Sequence, residues 1–336
     1  YAVTLKDYQV RAELTATTRT GLHRYRFPAS DQAHILIDLA IPAEYPYDVD
    51  WAAARTVSDR EITGFSKQRS FDGFSEMTNE YTLFFVIRFN KSFKSFNGWR
   101  HPAADDSTGG SKDPEIMRDG FQFHGRGDVG VFLEFNTVDN EVIMAQVGLS
   151  LVSVEQARLN LDTELAPFGW DFDAARAHAR ETWNNLLSKI EVEGSSESDK
   201  VKFYTNFYRS YAARTILSDV NGKYVDVNEQ IVTLEDPDSP MYGCDAFWNT
   251  FWNLNQLWSL VTPDITNQWV KSLLEIYDRG GWLPKGPTGI EYSSIMVASH
   301  EIALIVGAYQ KGIRDFDVGK AYEAMRKIQL MPGRPH

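Results

Sequence analysis

The chain has 336 residues, which is enough for two domains with substantial cores. Its formal net charge of −12 argues against a surface for nucleic acid or anionic lipid, because such surfaces are basic. Its single cysteine, Cys244, excludes an internal disulfide, and no apolar run reaches the roughly 18 residues that a membrane helix needs. We therefore predict a globular protein that binds no nucleic acid and has no membrane span.

The first part of the chain alternates apolar and polar residues in short runs, which is the pattern of half-buried β-strands. Clear examples are residues 10–17, 34–39, 81–89 and 141–150. Turn-forming Gly, Pro, Asn and Asp residues separate the runs. This pattern predicts an antiparallel β-sandwich over residues 1–152.

From Ser153 onward the apolar residues recur at helical spacing. Two helices, Val154–Leu165 and Asp173–Leu187, are predicted within a linker over residues 153–198. The remainder, residues 199–336, is predicted to contain helices at 200–215, 266–279, 293–311 and 318–327. Helices joined alternately by short turns and longer loops indicate the first part of an (α/α)6 toroid.

A segment from Asp219 to Glu229 has the acidic composition of a calcium loop. Its glycine is misplaced for an EF-hand, and Asn221-Gly222 lies between Val220 and Tyr224. The sequence therefore predicts a β-hairpin that turns at Asn221-Gly222 and binds no metal.

An aromatic segment from Gly243 to Trp258 is central to the question of function. Read as one helix, it is apolar on nearly all sides and therefore buried. It also carries a polar stripe made up of Asp245, Asn249, Asn253 and Gln256. Buried polar groups left unpaired cost roughly 1–3 kcal/mol each, so the stripe must have partners. Two interpretations remain open: a polar network inside a helix bundle, or a sugar site in which amides bind hydroxyls and indole rings contact C–H faces.

Two further sets of side chains are candidates for chemistry. His300 and Glu301 form either an acid/base or substrate-orienting pair, or a pair hydrogen-bonded within a helix bundle. Glu291 is either a catalytic carboxylate or an acid favoured at a helix start by the helix dipole. The motifs of zinc proteases, serine hydrolases and nucleotide-binding enzymes do not occur in a supporting context.

Several motifs, in this order along the chain, resemble those of glycoside hydrolase family 92. They lie at residues 13–28, 147–157, 203–208, 248–252, 281–285, 296–300 and 308–317. The resemblance implies an N-terminal β-sandwich, linker helices and an (α/α)6 catalytic domain. It also implies a secreted or periplasmic, exo-acting α-mannosidase of the α-1,2 type. Such an enzyme would release mannose from mannose-containing glycans by a calcium-dependent inverting mechanism.

The resemblance implies a substrate site near residues 248–252 and 296–300, in which two residues differ from the family pattern. Where the family commonly has an aspartate that contacts the sugar and a basic residue, this chain has Asn249 and Trp252. The histidine of the family's Met-Ile-Gly-x-His segment is retained as His300. We predict that substrate is bound by the residues at this site and in the adjoining segments: Asn249, Trp248, Asp245 and His300, with Glu301 and Glu291 as second choices.

The resemblance places the family's general acid, general base and calcium-ligand region in later motifs than those found here. We therefore expect these groups, and the Ca²⁺ site, outside this segment, in the remainder of the protein or in a separate C-terminal fragment of it. The beginning of the sandwich is likewise expected to lie before Tyr1. Two alternatives stay open: a carbohydrate-binding fragment without turnover, and a structural module.

Overall fold

A computed structural model describes residues 1–40, 47–71, 78–101, 113–194, 196–212, 215–243, 247–285, 287–288, 291–292 and 299–331. The chain divides into two compact units. The first contains Tyr1–Asp72 and Thr78–Arg180, and the second contains Glu181–His336. No helix in the described ranges is both long and apolar enough to cross a bilayer.

The first unit consists of two antiparallel sheets followed by one helix and the beginning of a second. Its strands are β1 Ala2–Leu5, β2 Val10–Ala16, β3 Thr20–Phe27, β4 Ser30–Asp38, β5 Tyr47–Ser58, β6 Glu61–Phe71, β7 Thr78–Phe89, β8 Ser95–Arg100, β9 Glu115–Met117, β10 Gln122–Gly125, β11 Val129–Thr137 and β12 Glu141–Ser150. One sheet has eight strands in the order β1-β2-β3-β12-β7-β6-β5-β10, and the other has the order β4-β11-β8-β9. The prediction of an antiparallel β-sandwich is confirmed.

The main core of this unit is formed by apolar side chains from both sheets. Ile62 and Ile143 come from the eight-stranded sheet, and Val131, Leu133 and Phe135 come from the four-stranded sheet. All five are fully buried. Successive side chains of a strand point to opposite faces, so the eight-stranded sheet also presents a second apolar face.

Helix α1, Val154–Glu164, packs on that second face. Ser153 caps the helix: its side chain accepts a hydrogen bond from the backbone N–H of Gln156. Gly148 of β12 allows the close approach, because a Cβ atom there would lie 2.3 Å from the carbonyl oxygen of Ala157. Only glycine at position 148 lets the strand and the helix pack this closely.

The second unit is mainly helical. Its elements are the end of α2 Phe172–Leu187, α3 Glu197–Arg209, β13 Thr215–Ile216, β14 Lys223–Val225, β15 Ile231–Thr233, β16 Tyr242–Gly243, a 3-10 turn Thr250–Trp252, α4 Leu254–Val261, α5 Pro263–Gly280, β17 Pro287–Thr288, β18 Glu291–Tyr292, α6 His300–Gln310 and α7 Val318–Leu330. The strands form three two-stranded ribbons: β13 with β16, β14 with β15, and β17 with β18. The predicted order, a sandwich followed by helices, is confirmed.

The core of the helical unit is centred on α5. Trp269 and Leu273 of α5 pack in one cluster with Leu304 of α6 and Ala321 of α7. Pro263 lies in the first turn of α5, where its missing N–H costs nothing, and Gly281 ends the helix with a left-handed φ of 78°. These signals explain why α5 occupies these residues.

A hairpin is present near the predicted place, but it does not turn at Asn221-Gly222. The paired strands are β14 and β15, and the chain reverses between them through residues 226–230. Asp226 Oδ1 accepts hydrogen bonds from the backbone N–H groups of Asn228 and Gln230. Asn221-Gly222 instead belongs to a turn before β14, where the N–H of Gly222 donates to the carbonyl of Asp219 at 2.9 Å.

Candidate functional site

The segment predicted as one buried helix, Gly243–Trp258, is not one helix. Strand β16 ends at Gly243, the 3-10 turn occupies Thr250–Trp252, and α4 begins at Leu254. Phe247 and Asn249 have positive φ values of 50° and 59°, and this left-handed backbone cannot continue a right-handed helix. Asn tolerates this conformation better than most residues do, which suits position 249.

The aromatic side chains of this segment are also not buried on all sides. Residues 247–252, here named the aromatic turn, bury Phe247 completely but expose 58% of Trp248, 41% of Phe251 and 69% of Trp252. Adjacent exposed rings of this size are uncommon, because apolar surface is normally removed from water. Exposed apolar clusters of this kind mark contacts with another protein surface or with a ligand.

Hydrogen bonds and one buried ring fix the aromatic turn. Thr250 Oγ1 donates to the carbonyl of Phe247 at 3.0 Å, and Gln256 Nε2 donates to the carbonyl of Phe251 at 3.0 Å. The Phe247 ring packs edge-on against Trp269, with centroids 5.0 Å apart and planes at 82°. The turn is therefore anchored to the core of the helical unit.

His300 and Glu301, the predicted pair, begin helix α6 and are both buried. His300 is 8% exposed, and its Nε2 has no hydrogen-bond partner among the described residues. The imidazole lies nearly parallel to the Phe251 ring, with an interplanar angle of 20° and centroids 6.4 Å apart. The structure thus joins one predicted site residue, His300, to the aromatic turn that carries two others, Trp248 and Asn249.

Asn255 was not predicted as a site residue. It lies in α4, is 3% exposed, and neither Oδ1 nor Nδ2 has a hydrogen-bond partner among the residues that the structure describes. Each such group costs about 1–3 kcal/mol, so a buried amide without partners needs an explanation. Helix α4 packs against both the 3-10 turn and α6, which places Asn255 on a helix next to His300 and Phe251. In the sequence, Asn255 is recognisable only as an amide among aromatic residues. The predicted polar stripe instead contained Asn253 and Gln256, which are exposed.

The other predicted residues cannot all be placed. Asp245 lies outside the described residues. Glu291 is in β18, where its backbone pairs with Thr288 of β17.

The loop after α5 contains another of the motifs that resemble family 92. The hydroxyl of Tyr292 donates to the carbonyl of Trp282 at 2.9 Å, and burial raises the pKa of Tyr292 to about 12. Lys327 Nζ donates to the carbonyl of Gly281 at 2.7 Å and lies 4.7 Å from the centroid of the Trp282 ring. Tyr292 is therefore a neutral hydrogen-bond donor that helps to hold this loop.

The described residues do not themselves fit a metal centre. They contain no group of three or more His, Cys, Asp or Glu side chains arranged to hold an ion. The site is instead an aromatic surface beside a buried imidazole and a buried amide. Such groups can bind a neutral polar ligand through ring contacts and hydrogen bonds.

Comparison with solved structures identifies the fold. A family GH92 alpha-mannosidase from Bacteroides thetaiotaomicron superposes with a TM-score of 0.84 and 24% identity, over 99% of this chain and 42% of that chain. A family GH92 inverting mannosidase from the same organism gives a TM-score of 0.79 and 21% identity, over 97% and 40% of the two chains. The chain thus shares the fold of these two structures, a sandwich followed by a helical domain.

Two family profiles then identify the chain itself. The "Glycosyl hydrolase family 92 N-terminal domain" matches residues 1–150, and the "Glycosyl hydrolase family 92 catalytic domain" matches residues 156–334. The chain belongs to glycosyl hydrolase family 92. A curated relative, an "Uncharacterized secreted glycosidase" of Arthroderma benhamiae, is 27% identical over 203 residues, which are 59% of this chain and 22% of the relative. The chain thus spans well under half the length of each of these relatives.

Proposed function

We propose that the protein is an exo-acting α-mannosidase that releases mannose from glycans. The observation that carries this proposal is the match of both family 92 profiles, in order, along the chain. The names of the solved relatives, an alpha-mannosidase and an inverting mannosidase, support it. The helical unit contributes a surface suited to a sugar, with exposed indoles beside a buried imidazole.

The finer features of the proposal come from the family resemblance. They are an α-1,2 preference, inversion at the anomeric carbon, dependence on Ca²⁺, and secretion or location in the periplasm. The name of the fungal relative, a secreted glycosidase, supports the last of these. An inverting mechanism needs a general acid and a general base about 6.5–9.5 Å apart, with a water molecule between the base and the sugar.

In this proposal, the aromatic turn and the start of α6 bind the terminal sugar. The indole of Trp248 packs on a C–H face of the ring, Asn249 hydrogen-bonds a hydroxyl, and His300 Nε2 binds a second hydroxyl. Asn249 brings no charge, so its hydrogen bond to the sugar is weaker than the charge-assisted bond that an aspartate would make. Three further residues remain candidates for binding the same sugar: Asp245, Glu291 and Glu301.

The general acid, the general base and the Ca²⁺ ligands are proposed to come from residues outside this chain. When bound, Ca²⁺ would polarise substrate oxygens or water as a Lewis acid. Among the described residues, no group of three or more His, Cys, Asp or Glu side chains could hold it.

The decisive experiment compares turnover with binding. The protein would be incubated with α-1,2-, α-1,3- and α-1,6-linked mannobiose, with Ca²⁺ and with EDTA, and free mannose would be measured. We expect release from the α-1,2 disaccharide that EDTA abolishes. Mannose binding without release would favour a carbohydrate-binding fragment. Absence of both would favour a structural module.

A further inference from the structure

The imidazole of His300 packs beside an aromatic ring and leaves Nε2 without a hydrogen bond. Nε2 has no hydrogen-bond partner among the described residues. The χ2 torsion of histidine is broad, so a ring without hydrogen bonds rotates unless its neighbours prevent it. A packing contact is therefore one means of setting the direction of Nε2.

Phe251 supplies such a contact. The two rings are nearly parallel, at 20°, and their centroids are 6.4 Å apart, within the range of favourable aromatic pairs. The nitrogen atoms of imidazole donate and accept in the plane of the ring. A ring beside the imidazole with a nearly parallel plane limits its rotation while leaving Nε2 available to a ligand.

Phe251 is itself held firmly enough to act in this way. Its carbonyl accepts the hydrogen bond from Gln256, and the turn that carries it is anchored through Phe247, which is fully buried. The 3-10 turn also packs directly against α6, the helix that begins with His300. The backbone that carries the Phe251 ring is therefore held by the core of the helical unit.

We propose that Phe251 is a positioning residue of the substrate site, whose ring holds the His300 imidazole so that Nε2 faces a hydroxyl of the sugar. The proposal rests on the proposed function for the role of His300. It assigns Phe251 no contact with the reacting atoms. Its side chain acts through His300.

The test uses three variants of the protein that carries this chain. Phe251→Leu removes the aromatic ring and Phe251→Tyr keeps it. Tyr322→Leu is the control, because Tyr322 is an exposed aromatic residue of α7 in the same unit. The melting temperature of each variant establishes that it folds. NMR spectra of the imidazole C–H groups, with the His300 signal assigned by its loss in His300→Gln, report the stacking through the ring current of Phe251.

We expect Phe251→Leu to shift the His300 signal and to lower kcat/KM for mannose release about 10- to 100-fold, mainly through kcat, as for a group moved by about 1 Å. Phe251→Tyr should retain the signal and most of the activity, and Tyr322→Leu should change neither. An unchanged kcat in Phe251→Leu, or an unchanged His300 signal, would overturn the proposal.

A protein without turnover would refute the proposed function but would still test the positioning role. Mannose would then be titrated while the His300 signal is followed. Weaker mannose binding in Phe251→Leu, restored in Phe251→Tyr, would support positioning. Equal binding constants in the parent and Phe251→Leu, or no response of the His300 signal to mannose, would reject it.

Discussion

Two buried asparagines of the helical unit provide a matched pair for testing why Asn255 is present. Asn255 is 3% exposed and its amide atoms have no partner among the described residues. Asn267 is 7% exposed, but its Nδ2 donates to the backbone carbonyl of Asp315 at 2.9 Å. The same substitution, Asn→Leu, should therefore have opposite effects at the two positions.

The magnitudes follow from the hydrogen-bond count. At Asn255, removing two unpaired polar atoms relieves about 2–6 kcal/mol, since each costs about 1–3 kcal/mol. The larger leucine side chain destabilises the folded state by about 1–3 kcal/mol through overpacking. We expect Asn255→Leu to raise the free energy of unfolding by about 1–3 kcal/mol. At Asn267, removing the one unpaired atom, Oδ1, relieves about 1–3 kcal/mol, and the donor lost by the carbonyl of Asp315 costs about the same. The overpacking cost remains, so Asn267→Leu should lower the free energy of unfolding by about 1–3 kcal/mol.

Urea denaturation followed by tryptophan fluorescence, with equal m values in parent and variants, would measure both changes. A polar group retained at a cost in stability indicates a function, so Asn255→Leu should also bind mannose more weakly. The reasoning would be refuted if Asn255→Leu were as destabilising as Asn267→Leu.

Two further predictions concern the sandwich. Burial lowers the pKa of His23 below its ordinary value of 6.5, so the unfolded chain takes up the proton first and stability falls as the pH drops below 6.5. Thermal unfolding of His23→Gln should show a shallower loss below that pH, and parallel curves would contradict this. In Gly64→Ala, the new Cβ would lie 2.2 Å from the carbonyl oxygen of Ala53 and 2.5 Å from Phe85 Cζ. We expect a loss of about 3 kcal/mol or more in urea denaturation, whereas Gly194→Ala, with open space around it, should be nearly neutral.

Simple alternation in the sequence locates some strands and misses others for a physical reason. Strand β12 coincides with the predicted run, because its inward positions are apolar, among them Ile143 and Ala145. In β6 the buried positions include Ser66 and Gln68, which conceal the alternation. Both side chains donate to the carbonyl of Leu39, at 2.6 and 3.1 Å. Their burial depends on a tertiary contact that no local pattern encodes.

At the candidate site, local periodicity again gave only part of the answer. Residues 243–258 have helical spacing, but two left-handed residues, Phe247 and Asn249, break the helix before α4. The break turns Trp248 and Trp252 outward instead of burying them. The motif that contains His300 was recognisable by resemblance, whereas its contact with Phe251 depends on how α6 packs against the 3-10 turn.

The most direct test of the central claim is to follow the hydrolysis of the methyl α-glycoside of α-1,2-mannobiose by ¹H NMR in real time, with Ca²⁺ present. The methyl group fixes the anomeric carbon of the leaving sugar, so free mannose comes only from the non-reducing end. The proposed inverting mechanism predicts that this mannose appears first as the β-anomer, and that the α-anomer follows only by mutarotation. Initial release of α-mannose would contradict inversion. Failure to release mannose from any α-linked mannobiose would contradict the assignment of α-mannosidase activity itself.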